Sequence, residues 1–313
     1  MLFFKNAAVR YVVLAVLSVT PLLAGNVHGH EATTVQFPPE VEGVKKGEFP
    51  SGTSGFAVQL FPSTPLYAPY IADPHRVGFG LQVLNYTSTE IPHSGNTRFD
   101  LRTGGQFGLL RIHPRGAEEL GWQISLEGGF NSQFDIDNQL DNIGWDGRYG
   151  LVVTTAQTPN LSLKFGYLHD SSHVGDEYAE RNGRLRIGYT REELAAGASW
   201  LADGGWRTYA EYGHGIVLRN GNLQKPGRAQ FGFEWQQPKP AQDRYRGWYG
   251  AADLSAMEER DWKIDVSIQS GYRIDTVGKT WRLGVDWYTG RPPIGEFFQH
   301  TETYVGFGIW IDI

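Results

Sequence analysis

The segment Gly166-Tyr167-Leu168-His169-Asp170-Ser171-Ser172-His173-Val174-Gly175-Asp176-Glu177-Tyr178 places two histidines, two serines and three acidic residues within nine positions. His169 and Ser171 are two apart. On a strand such residues share a face, ~6.6 Å apart along the chain. An imidazole so placed can take the hydroxyl proton, which is what a serine nucleophile needs. A third group must orient the histidine. Asn182, across the following loop, is the first candidate. If the next strand starts only at Tyr189, Asn182 is remote, and Glu177 or Glu180 becomes the better orienter. A loop amide near Ser172 is a candidate oxyanion donor. Asp176, Glu177 and Glu180 are hard oxygen donors and form a candidate calcium site. Calcium takes six to eight oxygens, more than this loop alone supplies. The other reading is a solvated acidic turn, or carboxylates that hold Arg181 and Arg184. Equally, the whole cluster could be a hydrogen-bonded group that orders a loop.

The element that carries His169 and Ser171 is readable. Leu161, Leu163, Phe165 and Tyr167 precede them at every second position. The same period of two recurs in Trp122-Ile124-Leu126, in Phe231-Phe233-Trp235, in Trp262-Ile264-Val266-Ile268 and in Trp281-Leu283-Val285-Trp287. The intervening residues are Gln, Ser, Glu, Lys, Asp, Arg and Gly. Apolar and charged residues in alternation fit lipid on one side of a strand and a polar lumen on the other. Many of the apolar series begin or end in Trp or Tyr, as an interfacial girdle requires. A soluble sandwich also alternates. Its apolar side would need a very wide covering sheet here, and the last segment, Val305 to Ile313, alternates throughout. His169 and Ser171 therefore belong to a face expected to meet lipid.

Composition agrees. The 313 residues include 40 glycines, 10 tryptophans and 15 tyrosines, with a formal charge of −6 and no cysteine. The missing cysteines exclude disulfides, a lipoprotein anchor and thiolate metal sites. The acidic balance argues against nucleic acid, whose binders need Lys and Arg for phosphate. Lys5, Arg10 and the apolar run Tyr11–Leu23 read as a secretory leader cut near Gly29. That run is too short to span ~30 Å of hydrocarbon, which takes about 20 residues.

The resulting expectation is an all-β chain: residues 1–29 a signal peptide, 30–75 a periplasmic lead, and 76–313 a transmembrane antiparallel β-barrel of twelve strands. The strands are expected at 76–87, 99–112, 120–133, 145–156, 160–171, 189–201, 206–217, 227–236, 246–255, 261–273, 279–289 and 301–313. An even count puts both ends in the periplasm. Residues 183–201 read as one strand or two. The proline-rich stretch Leu60–Pro69 is expected to pack against or under the barrel.

Two resemblances follow from these strings. Gly166-Tyr167-Leu168-His169-Asp170-Ser171 resembles the active-site strand of outer-membrane phospholipase A, a twelve-stranded barrel with a His-x-Ser pair and a downstream Asn on its outer wall. Gly271-Tyr272-Arg273, Trp281-Arg282-Leu283 and Tyr304-Val305-Gly306-Phe307-Gly308 are similar to its last strands. The resemblance covers about a fifth of the chain and implies His169 as base, Ser171 as nucleophile, Asn182 as orienter and calcium nearby. Ser172-His173 departs from the Asn-Gly that follows the serine in that family. Over most of its length the chain resembles an uncharacterised bacterial outer-membrane family. That likeness rests on Ser171-Ser172-His173-Val174-Gly175-Asp176-Glu177, on Tyr189-Thr190-Arg191-Glu192-Glu193, on Ala72-Asp73-Pro74 and on Gly295-Glu296-Phe297-Phe298, and implies the barrel without an activity.

The functional expectation is an outer-membrane lipid acyl hydrolase. The alternative is a non-enzymatic structural barrel or a narrow small-solute channel. Lumen charges of both signs, among them Glu127, Arg148, Arg207, Glu211, Lys263, Asp265 and Arg282, favour ion pairs across a narrow interior over a selective ring. Expected partners are outer-membrane lipid and, during biogenesis, the barrel-assembly machinery, with a homodimer as a candidate assembly.

Overall fold

Each alternating stretch forms a strand in the computed structural model, which describes residues 55–219, 223–238, 246–276 and 279–312. In chain order these are β1 (Phe56–Leu60), β2 (Phe79–Thr89), β3 (Thr97–Pro114), β4 (Gly121–Asp135), β5 (Asp141–Ala156) and β6 (Leu161–Val174). A short helix α1 (Asp176–Asn182) comes next. The remaining strands are β7 (Thr190–Ala202), β8 (Trp206–Leu218), β9 (Gly227–Gln236), β10 (Arg246–Met257), β11 (Ile264–Thr276), β12 (Lys279–Gly290) and β13 (Glu302–Asp312). Strands β2 to β13 pair antiparallel with their sequence neighbours. β13 closes on β2, with Phe307 opposite Val83. The twelve expected strands are therefore the barrel wall. The stretch 183–201 resolves into one strand, β7, preceded by α1 and an irregular connection. The expected leader lies outside the described residues.

The wall sorts its residues as the period of two demands. Leu126, Leu151, Phe165, Phe231, Leu283 and Phe307 stand exposed on the outside. Arg98–Glu302, Arg207–Glu234, Arg228–Glu193 and Arg282–Asp312 pair inside at 2.7, 3.1, 2.6 and 3.0 Å. Buried pairs of this kind satisfy one another and set register; they are weak sources of net stability. Trp122, Trp200, Trp206, Trp248 and Trp281 are exposed toward the end of the wall where the turns are short. Among the described residues no helix is long and apolar enough to cross a membrane. A closed wall that is apolar outside and polar inside crosses with strands instead, their ladder groups paired between neighbours over most of its length. The protein is an outer-membrane β-barrel.

Two segments enter the lumen. Most of the stretch expected to pack against or under the barrel enters it: Leu60 ends β1 in the wall, and Tyr67 and Tyr70 are buried inside. Arg207 donates to the carbonyls of Ala68 and Pro69 at 2.6 and 3.0 Å. Tyr70 stacks on Tyr209 at 3.7 Å and donates to Glu211 at 2.8 Å. The Ile71 amide bonds Glu234 at 2.7 Å, and Arg148 donates to the His75 carbonyl at 3.1 Å. Pro62, Pro65, Pro69 and Pro74 suit this path, because each removes an N–H that would otherwise need an acceptor inside the barrel. At the opposite end, the β12–β13 connection folds inward. Ile294, Phe297 and Phe298 are wholly buried, and Ile294 and Phe297 pack in one cluster with Ile91, Ile143, Val174 and Tyr178 of α1.

Candidate active site

β6 lies between β5 and β7, and its two faces hold different chemistry. The inward face is tied down. Asp170 accepts from Arg148 at 2.5 and 3.0 Å. Ser172 bonds Asp146, and its hydroxyl accepts the Glu296 amide at 2.8 Å. The Glu296 carboxylate in turn takes the amides of Ile187 and Gly188 at 2.9 and 2.6 Å. The inward loop thereby fixes the strand that bears the candidate site and the connection that leads into β7.

The outward face carries His169, Ser171 and His173, continuing Phe165 and Tyr167 toward the extracellular end. The register sets their neighbours. Tyr149, Gly147 and Trp145 on β5 lie opposite His169, Ser171 and His173, and on β7 Glu192 lies opposite His169. His169 Nδ1 meets Glu192 Oε1 at 2.7 Å. Glu192 Oε2 accepts the Tyr167 hydroxyl at 2.6 Å. The imidazole stacks on Tyr149 with centroids 4.4 Å apart. Its Nε2 has no hydrogen bond among the described residues, and so has a lone pair or proton to offer. Ser171 Oγ points to the Gly147 carbonyl at 3.4 Å, not to His169. One row further, Trp145 and His173 stack at 4.1 Å. Ser171 thus sits between two aromatic–histidine stacks, in a slot where successive rows are about 6–7 Å apart. Gly147 keeps that slot open, since a Cβ there would meet Ser171 Oγ at 3.4 Å and the Trp145 ring at 3.7 Å.

The structure brings His169 and Ser171 to one lipid-facing surface, but it seats Asn182 elsewhere. Asn182 ends α1 and its amide donates to the Tyr178 carbonyl at 2.9 Å. The carboxylate on His169 is Glu192, not Asn182, Glu177 or Glu180. The reason is register: the 175–189 connection spends its length on α1 and on the inward Glu296 contacts, so β7 begins late and Glu192 lands beside His169. The Ser172 amide is also engaged, donating to the Tyr189 carbonyl at 2.9 Å, and is not available as an oxyanion donor. The three candidate calcium ligands do not form a cage. Glu177 and Glu180 point outward from α1, and Asp176 pairs with Arg186. Among the described residues no three metal-ligating side chains converge, so these carboxylates do not fit the six to eight oxygens calcium takes.

The fold has solved counterparts of low identity. Outer membrane phospholipase A from Escherichia coli is 10% identical over 75% of this chain and 92% of its own, with a TM-score of 0.49. A KdgM porin is 10% identical over 76% and 99%, with a TM-score of 0.42. LpxR from Salmonella typhimurium is 10% identical over 75% and 100%, with a TM-score of 0.40. A phospholipase and a porin stand side by side in this set, so the likeness does not choose between enzyme and channel. No curated protein matches the chain in sequence. A family profile does, across residues 14–312, and by that match the chain belongs to the family described as protein of unknown function DUF1207.

Proposed function

We propose that the protein is a serine lipid acyl hydrolase of the outer membrane, with Ser171 as nucleophile, His169 as base and Glu192 as orienter. The observation that carries this reading is the 2.7 Å contact from His169 Nδ1 to Glu192, on the outward face one row from Ser171. With Nδ1–H held by a carboxylate, Nε2 is the basic nitrogen, the tautomer a serine hydrolase uses. A turn of the Ser171 side chain from the Gly147 carbonyl toward Nε2 completes the relay; resting sites are often looser than working ones. Ser171 Oγ then attacks the ester carbonyl while Nε2 takes its proton. His169 returns that proton to the departing alcohol. Water, deprotonated by Nε2, cleaves the acyl-serine to free fatty acid and restores the hydroxyl. Glu192 stabilises the imidazolium at both stages, and Tyr167 holds the second carboxylate oxygen.

The aromatic-walled slot suits an acyl chain, and its place on the outer wall lets a lipid reach Ser171 without entering the lumen. A channel reading gains nothing from the interior, which the 62–78 segment and the inward loop occupy.

The test is fatty acid release from phosphatidylcholine in mixed micelles by the detergent-solubilised protein. Ser171→Ala and His169→Ala should each lower the rate on the order of 10⁴-fold or more, with heat-modifiable gel mobility unchanged. Undiminished release by Ser171→Ala removes the assignment.

A further inference from the structure

Among the described residues the barrel wall has a discontinuity, three strands from the Ser171 site along the register Ser171–Gly147–Phe130–Thr103. β3 is 18 residues long. β2 covers only Thr97–Arg102 on its open side, from Gly80 opposite Arg102 to Asn85 opposite Thr97. β1 covers Leu110–Pro114, and the Phe61 amide adds a bond to the Leu109 carbonyl at 3.1 Å. Residues 103–108 keep β4 on one side and, among the described residues, have no strand partner on the other. The chain leaves the wall at the lower lip, where Pro62 lies against Gly108 so closely that a Cβ would strike the Pro62 ring and carbonyl. It returns at the upper lip, where Val77 lies over Gly104 and Gly129. Between the lips the wall is the edge of β3 alone.

An unpaired backbone edge facing hydrocarbon costs several kcal/mol per group, so this edge calls for water or another polar partner. Behind it is a cavity of 640 Å³ that reaches from Gly104, Gly105 and Gln106 to Arg76, Arg207 and Glu234. In front of it Leu60, Phe61 and Phe107 are 67, 70 and 72% exposed. Gln106, on the unpaired stretch, donates its amide to Glu127 at 3.2 Å, while its Oε1 is buried without a partner among the described residues. Apolar lips, Gln106 in the throat and a roomy recess that offers Arg76, Arg207 and Glu234 among apolar side chains, and that reaches the turns at Asn160 and Lys279, match a molecule that is apolar at one end and polar at the other. The level in the membrane narrows the choice. Phe107 lies opposite Leu126, only four residues above the girdle residue Trp122, at the end with short turns, which is periplasmic in such barrels. The lipids of that leaflet are glycerophospholipids.

We propose that the seam between β1, β2 and β3 is a lateral port that admits the polar head group of a phospholipid from the periplasmic leaflet into the lumenal cavity, its acyl chains remaining in the bilayer. The proposal does not rest on the Ser171 chemistry, because the port is built from β1, β2 and β3 and the relay from β6 and β7.

The native chain has no cysteine, so single reporters are unambiguous. Gln106→Cys carrying bimane is reconstituted in phosphatidylethanolamine–phosphatidylglycerol vesicles doped with phosphatidylcholine bearing a head-group nitroxide. Ser255→Cys, which faces the lumen from the closed wall at β10, is the reference, and Val77→Cys on the upper lip is a second reporter should Gln106→Cys fold poorly. The port predicts that the nitroxide lipid quenches bimane at Gln106 or Val77 severalfold more than at Ser255. Equal quenching at port and reference overturns it. So does quenching at the port by aqueous iodide alone, which would mean a wet notch that no lipid enters.

Discussion

The two faces of β6 differ in how fully their polar atoms are used. Inward, Asp170 takes two bonds from Arg148, and Ser172 is bonded to both Asp146 and the Glu296 amide. Outward, His169 and Glu192 hold each other, yet Ser171 has a single long contact to a carbonyl and His169 Nε2 has none among the described residues. A buried polar group without a partner is costly, so most lumen side chains of β6 are spent on structure. A side chain at the lipid interface near the rim has access to head groups and water, and can be kept in reserve for a substrate. Polar density alone therefore does not mark the site. The lumen is far richer in charge, and it is the sparser outer face that has chemistry left to do.

Substitutions on the outer face should affect turnover and leave folding intact. Beyond Ser171 and His169, the largest effect is expected at Glu192. Glu192→Gln keeps the shape and loses the charge that stabilises the imidazolium, and hydrolysis should fall by about 10²- to 10⁴-fold. A rate within about twofold of the native protein, below the loss expected even from one hydrogen bond to a charged group, would return the orienting role to another residue.

On the inner face the effect should change in kind. Asp170→Ala strands Arg148 in the lumen, and removing one partner of a buried pair costs up to about 3–5 kcal/mol, less where water reaches it. The expected outcome is a lower unfolding transition in detergent, with the rate per folded molecule little changed. Loss of turnover with unchanged stability would mean that the two faces are not separable.

The smallest effect is expected at Asn182. Its amide serves the end of α1, so Asn182→Ala should leave hydrolysis unchanged, measured on the same micelles. A large loss would put α1 back into the site.

Much of this fold is written in the sequence, because an outer-membrane strand must repeat its facing residues with a period of two. All twelve wall strands are visible that way, from Phe79 to Asp312. β1 carries the same signal in Phe56, Val58 and Leu60, but over five residues between Pro50 and Pro62 it is too short to stand out from a lead segment. The lumenal path of residues 62–78 leaves no periodic mark at all; its prolines exclude strand and helix without saying what surrounds them. At the site, His169 and Ser171 are legible because their spacing is local. Glu192 is not, because its meeting with His169 depends on register across a connection that holds a helix, and no spacing rule reaches across it. For the same reason the acidic run Asp176-Glu177 draws attention in the sequence and has no place in the site.

The proposed nucleophile is Ser171, activated by His169 and Glu192 on the lipid-facing wall. The most direct measurement is covalent labelling of the detergent-solubilised protein with a long-chain alkyl fluorophosphonate, followed by peptide mass spectrometry. The relay predicts one adduct, on Ser171, formed rapidly by the native protein, slowly by Glu192→Gln and not at all by His169→Ala. An unlabelled Ser171 in a folded barrel, or labelling that proceeds equally without His169, would contradict it.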